Sequence, residues 1–367
     1  MKKYKIADFG NFTEEQLSPE IIAIYNNDLE VLKTLLGKNI NKTISITCDV
    51  FKNKFTPLEI ALYLNKKEIA TYLLTQNASQ KCKFYLSPIE IAVRYCDAET
   101  VLLFKNYLKN LSEDKKSNLF KQVFWAENDR KTKIGNIEIL EDLGISIAQY
   151  GGLKLRDLAS ENDLEMVKLF LEKGADINFN KSDMVFPYES TPVIEAARNN
   201  NFEMVKFLVE NGADITIKDK YGDRPYSLAI KNNNMEMANY LKDFEPKEFH
   251  DLENKKQSLK SYKLPKDLEN FLMGDNLTFK INDKYCKFIR FFSYIDTIET
   301  KWKGKKVLSI VAEVDNYSIV DIAWYPNKKM IYAIDEEHET FIPLATWEEF
   351  YPNMEKYITS YLNGELE

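Results

Sequence analysis

Two histidines and four cysteines are all that 367 residues offer to a transition metal or a thiol-based site. His250 and His338 stand far apart, and Cys48, Cys82, Cys96 and Cys286 are scattered without close pairing. Neither a disulfide framework nor a zinc site is indicated. His338 has Glu336, Glu337 and Glu339 beside it, but a second nitrogen or sulfur donor is missing, which makes a poor site for a borderline metal. A phosphate-cradling glycine loop and a nucleophile elbow are also missing. No catalytic, cofactor-binding or metal residue is therefore expected, and the chain does not read as an enzyme. No apolar run approaches membrane-spanning length, and no apolar stretch follows the basic Met1-Lys2-Lys3, so no signal peptide is expected. A formal net charge of -7 argues against nucleic acid or a membrane surface as partner and suits a protein with a basic face. These absences together read as a cytoplasmic protein.

What the chain does have is a helix-pair unit that recurs. Its clearest copy runs from Thr191-Pro192-Val193-Ile194-Glu195-Ala196-Ala197 to Gly212-Ala213-Asp214-Ile215. Thr191 is suited to cap a helix, and Pro192 sits at the first position, where its missing amide costs nothing. Ala196 and Ala197 let two helices approach closely. The second helix carries Met204, Val205, Phe207 and Leu208 at helical spacing and ends at Gly212, which tolerates the left-handed cap conformation. Such a unit buries its apolar face only by stacking on copies of itself, so the array presents surface rather than enclosing a site.

The unit resembles the ankyrin repeat. Pro192 to Pro225 and Ala196 to Ala229 are both 33-residue steps. Sliding the frame along the chain finds about seven units, among them Thr56-Pro57 to Leu74, Ser87-Pro88 to Leu103, and Ala159 to Ile177. Glu59, Glu90 and Ile194 replace the histidine of the family's Thr-Pro-Leu-His signature, and Asn65, Asn200 and Asn233 stand where inter-helix glycines are usual. One step is longer: Gly174 to Gly212 is 38 residues, and the extra length falls in the hairpin at 180–189. That loop carries Met184, Phe186 and Tyr188, residue types suited to anchor a partner, and Tyr221 belongs to the next hairpin. The alternative is that these side chains fold back onto the neighbouring hairpin.

After Leu241 the pattern changes. A charged connector precedes a helix start at Leu264-Pro265-Lys266-Asp267-Leu268-Glu269-Asn270-Phe271-Leu272. Strands are then predicted at 288–292, 307–314, 319–325 and 330–334, and a closing helix opens at Thr346-Trp347-Glu348-Glu349-Phe350. The opening helix, the run Ile331-Tyr332-Ala333-Ile334-Asp335-Glu336-Glu337-His338-Glu339 and the closing helix are similar to the SUKH superfamily (SMI1/KNR4). That resemblance implies a small α+β domain. It also implies a function, because bacterial members are frequently immunity proteins that neutralise a cognate toxin, and ankyrin arrays serve the same toxin systems.

The expected architecture is an all-α ankyrin solenoid of about seven repeats at 1–244, a connector at 245–262, and a SUKH-like α+β domain at 263–367. The expected function is binding a protein partner: a cognate toxin, for which a nuclease is one candidate, or an endogenous partner that the chain serves as an adaptor or regulatory scaffold. Met184, Phe186, Tyr188, Tyr221 and the acidic turn Asp335, Glu336, Glu337 and Glu339 are the expected contact residues. A solvated rim is the alternative reading of that turn.

Overall fold

The computed structural model describes residues 3–48, 51–108, 111–126, 129–317, 320–335 and 337–366. The chain divides into two compact units: Met1–Gly152 with Glu172–Ala175, and Leu153–Leu171 with Asp176–Glu367.

The first unit stacks α1 (Pro19–Tyr25) and α2 (Leu29–Leu36), α3 (Pro57–Tyr63) and α4 (Lys67–Thr75), and α5 (Pro88–Tyr95) with the short α6 (Ala98–Val101) and α7 (Lys105–Leu108). Helices α8 (Glu113–Gln122), α9 (Arg130–Asp142) and α10 (Ile147–Tyr150) follow. Two antiparallel hairpins break the expected all-α pattern, β1 (Tyr4–Lys5) with β2 (Asn11–Phe12) and β3 (Ile44–Cys48) with β4 (Phe51–Phe55). The cause of the second is local. Ile44 and Ile46 alternate with polar residues, and both are buried.

Glutamate at the signature position closes a capping box. The Thr56 amide donates to Glu59 Oε2 at 2.6 Å while Glu59 N donates to Thr56 Oγ1. Ser87 and Glu90 repeat the arrangement at the start of α5. Each box satisfies amides that a helix start leaves without intrahelical partners.

The second unit holds three helix pairs: α11 (Gly152–Ser160) and α12 (Leu164–Glu172), α13 (Pro192–Arg198) and α14 (Phe202–Glu210), and α15 (Pro225–Lys231) and α16 (Met235–Phe244). Asparagines stitch successive pairs together. The Asn199 amide donates to Ser160 Oγ at 2.9 Å, Asn232 to the Ala197 carbonyl at 2.9 Å, and Asn234 to Asn200 Oδ1 at 2.7 Å. The connector is helical at α17 (Leu252–Leu259) and leads into α18 (Lys266–Leu272).

The strand-rich part contains two antiparallel sheets. One has the order β12-β11-β10-β8-β7, the other β5-β6-β9. The strands are β5 (Thr278–Lys280), β6 (Phe288–Phe291), β7 (Ile298–Trp302), β8 (Lys305–Ser309), β9 (Val311–Val314), β10 (Val320–Tyr325), β11 (Met330–Asp335) and β12 (Thr340–Ala345). The single strand expected over 307–314 is thus two strands in different sheets. Ile310 is the corner: its amide bonds Ile322 O in one direction, and its carbonyl accepts from Phe292 N in the other. Helices α19 (Trp347–Phe350) and α20 (Met354–Leu362) close the chain. Leu268, Leu272, Phe291, Ile322, Trp324, Trp347 and Phe350 share the core, and the buried Trp324 indole donates to the Tyr262 carbonyl at 2.9 Å.

The last hairpin abuts this sheet closely. Gly222 stands at φ +89°, and a Cβ there would lie 3.1 Å from Ile298 Cγ2 and 3.2 Å from the Glu299 carbonyl oxygen. Glycine satisfies both the left-handed backbone and the short approach. Across the same junction, Tyr226 Oη donates to Asp296 at 3.0 Å, and Lys255 Nζ donates to the Thr297 carbonyl at 2.6 Å.

Candidate partner-binding surface

The 180–189 loop is ordered by one arginine from the preceding helix pair. Arg156 on α11 is 0% exposed. Its Nη1 donates to the carbonyls of Lys181 and Ser190, both at 3.0 Å, and its Nη2 pairs with Asp183 at 2.5 Å. Asp183 Oδ1 in turn accepts the amides of Val185 and Phe186, both at 2.7 Å. Burial works against the Asp183 charge, yet those amides and Arg156 hold its carboxyl below the ordinary value. Phe186 lies over the Arg156 guanidinium, 4.6 Å from ring centre to Cζ.

The expected contact residues of this loop therefore separate. Met184 is fully exposed, with Val185 beside it at 69%. Phe186 is a correction: it is 6% exposed, held inward by the guanidinium and by an edge contact with Tyr188, and so supports the loop rather than presenting itself. Tyr188 is half-buried, with its ring 4.9 Å from Arg198 Cζ and 6.1 Å from the ring of Tyr221. Tyr221 packs against the sheet cluster of Trp302, Val307, Tyr325 and Ile334. Lys220 N donates to the Tyr188 carbonyl at 2.8 Å, which ties the two hairpins together.

Beneath these tyrosines lies a buried charge cluster. Arg198 pairs with Asp219 at 2.5 Å and lies 3.5 Å from Glu195, and Lys231 pairs with Asp223 at 2.7 Å. Asp219 also shapes its hairpin, accepting the amides of Tyr221 and Asp223 at 2.9 Å each. A cleft of about 700 Å³ opens here, with Tyr188, Arg198 and Lys231 on the repeat side and Ser309, Tyr317 and Asp321 on the strand side.

Burial and the neighbouring Asp223 push the Asp219 carboxyl up to about 6, Arg198 notwithstanding. A folded value above the unfolded one means that Asp219 favours folding fully below about pH 4, and that this contribution is lost as pH rises through about 6. Asp219→Asn removes that dependence. The melting temperature of the variant relative to the parent should rise between pH 4 and pH 7, by the equivalent of at most about 3 kcal/mol. A difference that stays flat over this range would refute the electrostatic account.

The acidic turn also divides. Asp335 accepts the amides of Glu337 and His338 at 2.9 Å each and contacts His338 Nδ1 at 3.0 Å, so its carboxylate is committed to the turn. That contact raises the pKa of the His338 imidazole. Glu339, at φ +55°, pairs with Lys303 at 2.7 Å. Glu337 is exposed, and Glu336 lies outside the described residues. Lys303 holds the Glu339 carboxyl below its ordinary value, with a smaller contribution from Lys220.

Stacked helix pairs with left-handed inter-helix asparagines and outward hairpins define the middle of the chain. Residues 155–250 match the family model of ankyrin repeats, in three copies. This segment is an ankyrin array. Its repeats form a protein–protein interaction module, and the charge cluster belongs to the last two of them. The comparison with curated proteins finds no match. Among the described residues no helix is long and apolar enough to cross a membrane.

Arg156, Arg198 and Lys231 escaped sequence reasoning. For Arg198 and Lys231 a signal existed, since each is a basic residue ending a helix that is otherwise apolar or small, Glu195 excepted. For Arg156 there was none.

Proposed function

We propose that this chain is an immunity protein that binds a cognate toxin enzyme in the cytoplasm and neutralises it by occlusion. The observation that carries the reading is the ankyrin loop at 180–189. It holds an exposed apolar pair, Met184 and Val185, on a rigid base, which is the form an interface anchor takes. Two further features support it. The ankyrin repeats share a compact unit with a strand-rich α+β part whose opening helix, β11 turn and closing helix resemble SUKH domains. The acidic balance of the chain also suits a basic nuclease surface. In this reading about seven repeats occupy 1–244 and the SUKH-like domain occupies 263–367.

The test is capture by the purified full chain of products from adjacent genes, with the activity of any captured enzyme assayed. Stoichiometric capture of a toxin domain whose activity falls supports immunity, and Met184→Glu should then weaken capture by about tenfold. Capture of a housekeeping enzyme or regulator alone would replace immunity with an adaptor role.

A further inference from the structure

We infer that the cleft between the last ankyrin hairpins and the strand-rich part receives an arginine side chain, with its guanidinium group, from the protein partner. This rests on the reading of the chain as a protein-binding module.

The charge inventory of the cleft points to a cation. Its repeat side contributes Arg198 and Lys231, but Asp219 holds the first at 2.5 Å and Asp223 the second at 2.7 Å. On the strand side Glu313 is committed to Arg290 at 2.8 Å. Asp321 on β10 remains. Among the described residues its side-chain hydrogen-bond partner is the Ser309 hydroxyl, at 2.6 Å; the Lys231 ammonium attracts it but forms its ion pair with Asp223. With Glu195, the cluster thus sets four carboxyls against two cations. Enclosing two carboxylates around one shared ammonium is costly, and an incoming cation relieves that cost. Burial also pushes the Asp321 carboxyl above its ordinary value, in keeping with the deficit.

The remaining lining matches the rest of such a side chain. Tyr188, Tyr221 and Tyr317 give aromatic surface at the rim, and a cation gains from an aromatic face. Leu228, Val311 and Val320 form apolar wall against which a methylene stem packs while its charged head finds carboxylate. At about 700 Å³ the cleft has the size of a ligand pocket and accommodates the side chain with the backbone that carries it. An anionic guest would find both cations already paired and would face the excess carboxylates.

The probe is Nα-acetyl-L-arginine methylamide, titrated into the full chain by NMR or calorimetry beside its neutral citrulline counterpart and spermidine. The arginine probe should bind at least about tenfold more tightly than citrulline, and Asp321→Asn should remove about tenfold of that affinity. Because asparagine keeps the Ser309 hydrogen bond and removes a charge without an ion pair of its own, the same variant should melt no lower than the parent at pH 7. Tyr317→Ala, on the strand-side rim, should weaken the probe severalfold. Equal binding of citrulline, an Asp321→Asn variant that melts lower with unchanged affinity, or spermidine binding without arginine would each overturn the inference. So would failure of every probe to bind, an outcome that leaves the protein-capture reading intact.

Discussion

Arg156→Ala is expected to destabilise the second unit by about 3–5 kcal/mol, the usual cost of removing one partner from a buried, hydrogen-bonded ion pair. The guanidinium is fully enclosed and serves two carbonyls, one carboxylate and the face of Phe186. Without it, the Lys181 and Ser190 carbonyls lose their donor, and Asp183 loses the charge that helps keep it ionised. Arg156→Lys should recover little, because an ammonium cannot span the two carbonyls and the carboxylate in one plane while lying under a ring. The readouts are urea unfolding and limited proteolysis. Both variants should be cleaved within 180–189 at protease levels that spare the parent. A variant within about 1 kcal/mol of the parent, with an intact loop, would show that the loop is held by something else.

That prediction rests on a residue the sequence hides. Arg156 follows Leu155 in a short amphipathic helix, where an arginine ordinarily marks the solvent face, and its partners lie 25 to 34 residues further on. Only the stacking of one repeat on the next brings the loop over it. The place of Asp321 is equally hidden, because the cluster it joins is assembled by docking a sheet against helices some ninety residues earlier in the chain. The helix-pair frame, by contrast, was legible because it is enforced locally. Asn65, Asn200 and Asn233 replace expected glycines, and each adopts a positive φ between +48° and +58°, as asparagine does more readily than other side-chain-bearing residues.

Glu59 and Glu90 look like departures from the ankyrin signature, yet they fill the same cap position with their own chemistry. In the strand-rich part, aromatic and β-branched runs announced β6, β10 and β11. The charged run of β7 and the proline in β12 concealed those strands, and both lie at the edges of the five-stranded sheet, where such residues are tolerated. The corner at Ile310 had no turn residue to mark it.

Arg290→Ala is the second change expected to have a large effect, at about 2–3 kcal/mol, because one side chain joins the ankyrin end to the β6–β9 sheet. Its Nη1 donates to the Ile230 carbonyl at 3.0 Å and its Nη2 to the Lys231 carbonyl at 2.7 Å, while Nε and Nη2 hold Glu313 at 3.1 and 2.8 Å. Ile230 and Lys231 close α15, whose terminal carbonyls lack intrahelical donors and carry the negative end of the helix dipole. A guanidinium satisfies both needs at once, and Glu313 fixes its plane. Removing it strands the helix end and leaves a carboxylate facing carbonyl oxygens. Arg290→Lys keeps the charge but not the fork, so it should restore less than half of the loss. Hydrogen exchange provides the local readout: amides in 225–244 should exchange faster in Arg290→Ala, while those of α12 and α14 stay protected. If exchange there is unchanged, the junction is held by the Tyr226–Asp296 and Lys255–Thr297 contacts instead, and the double variant Tyr226→Phe with Lys255→Met becomes the one that separates the sheet from the repeats.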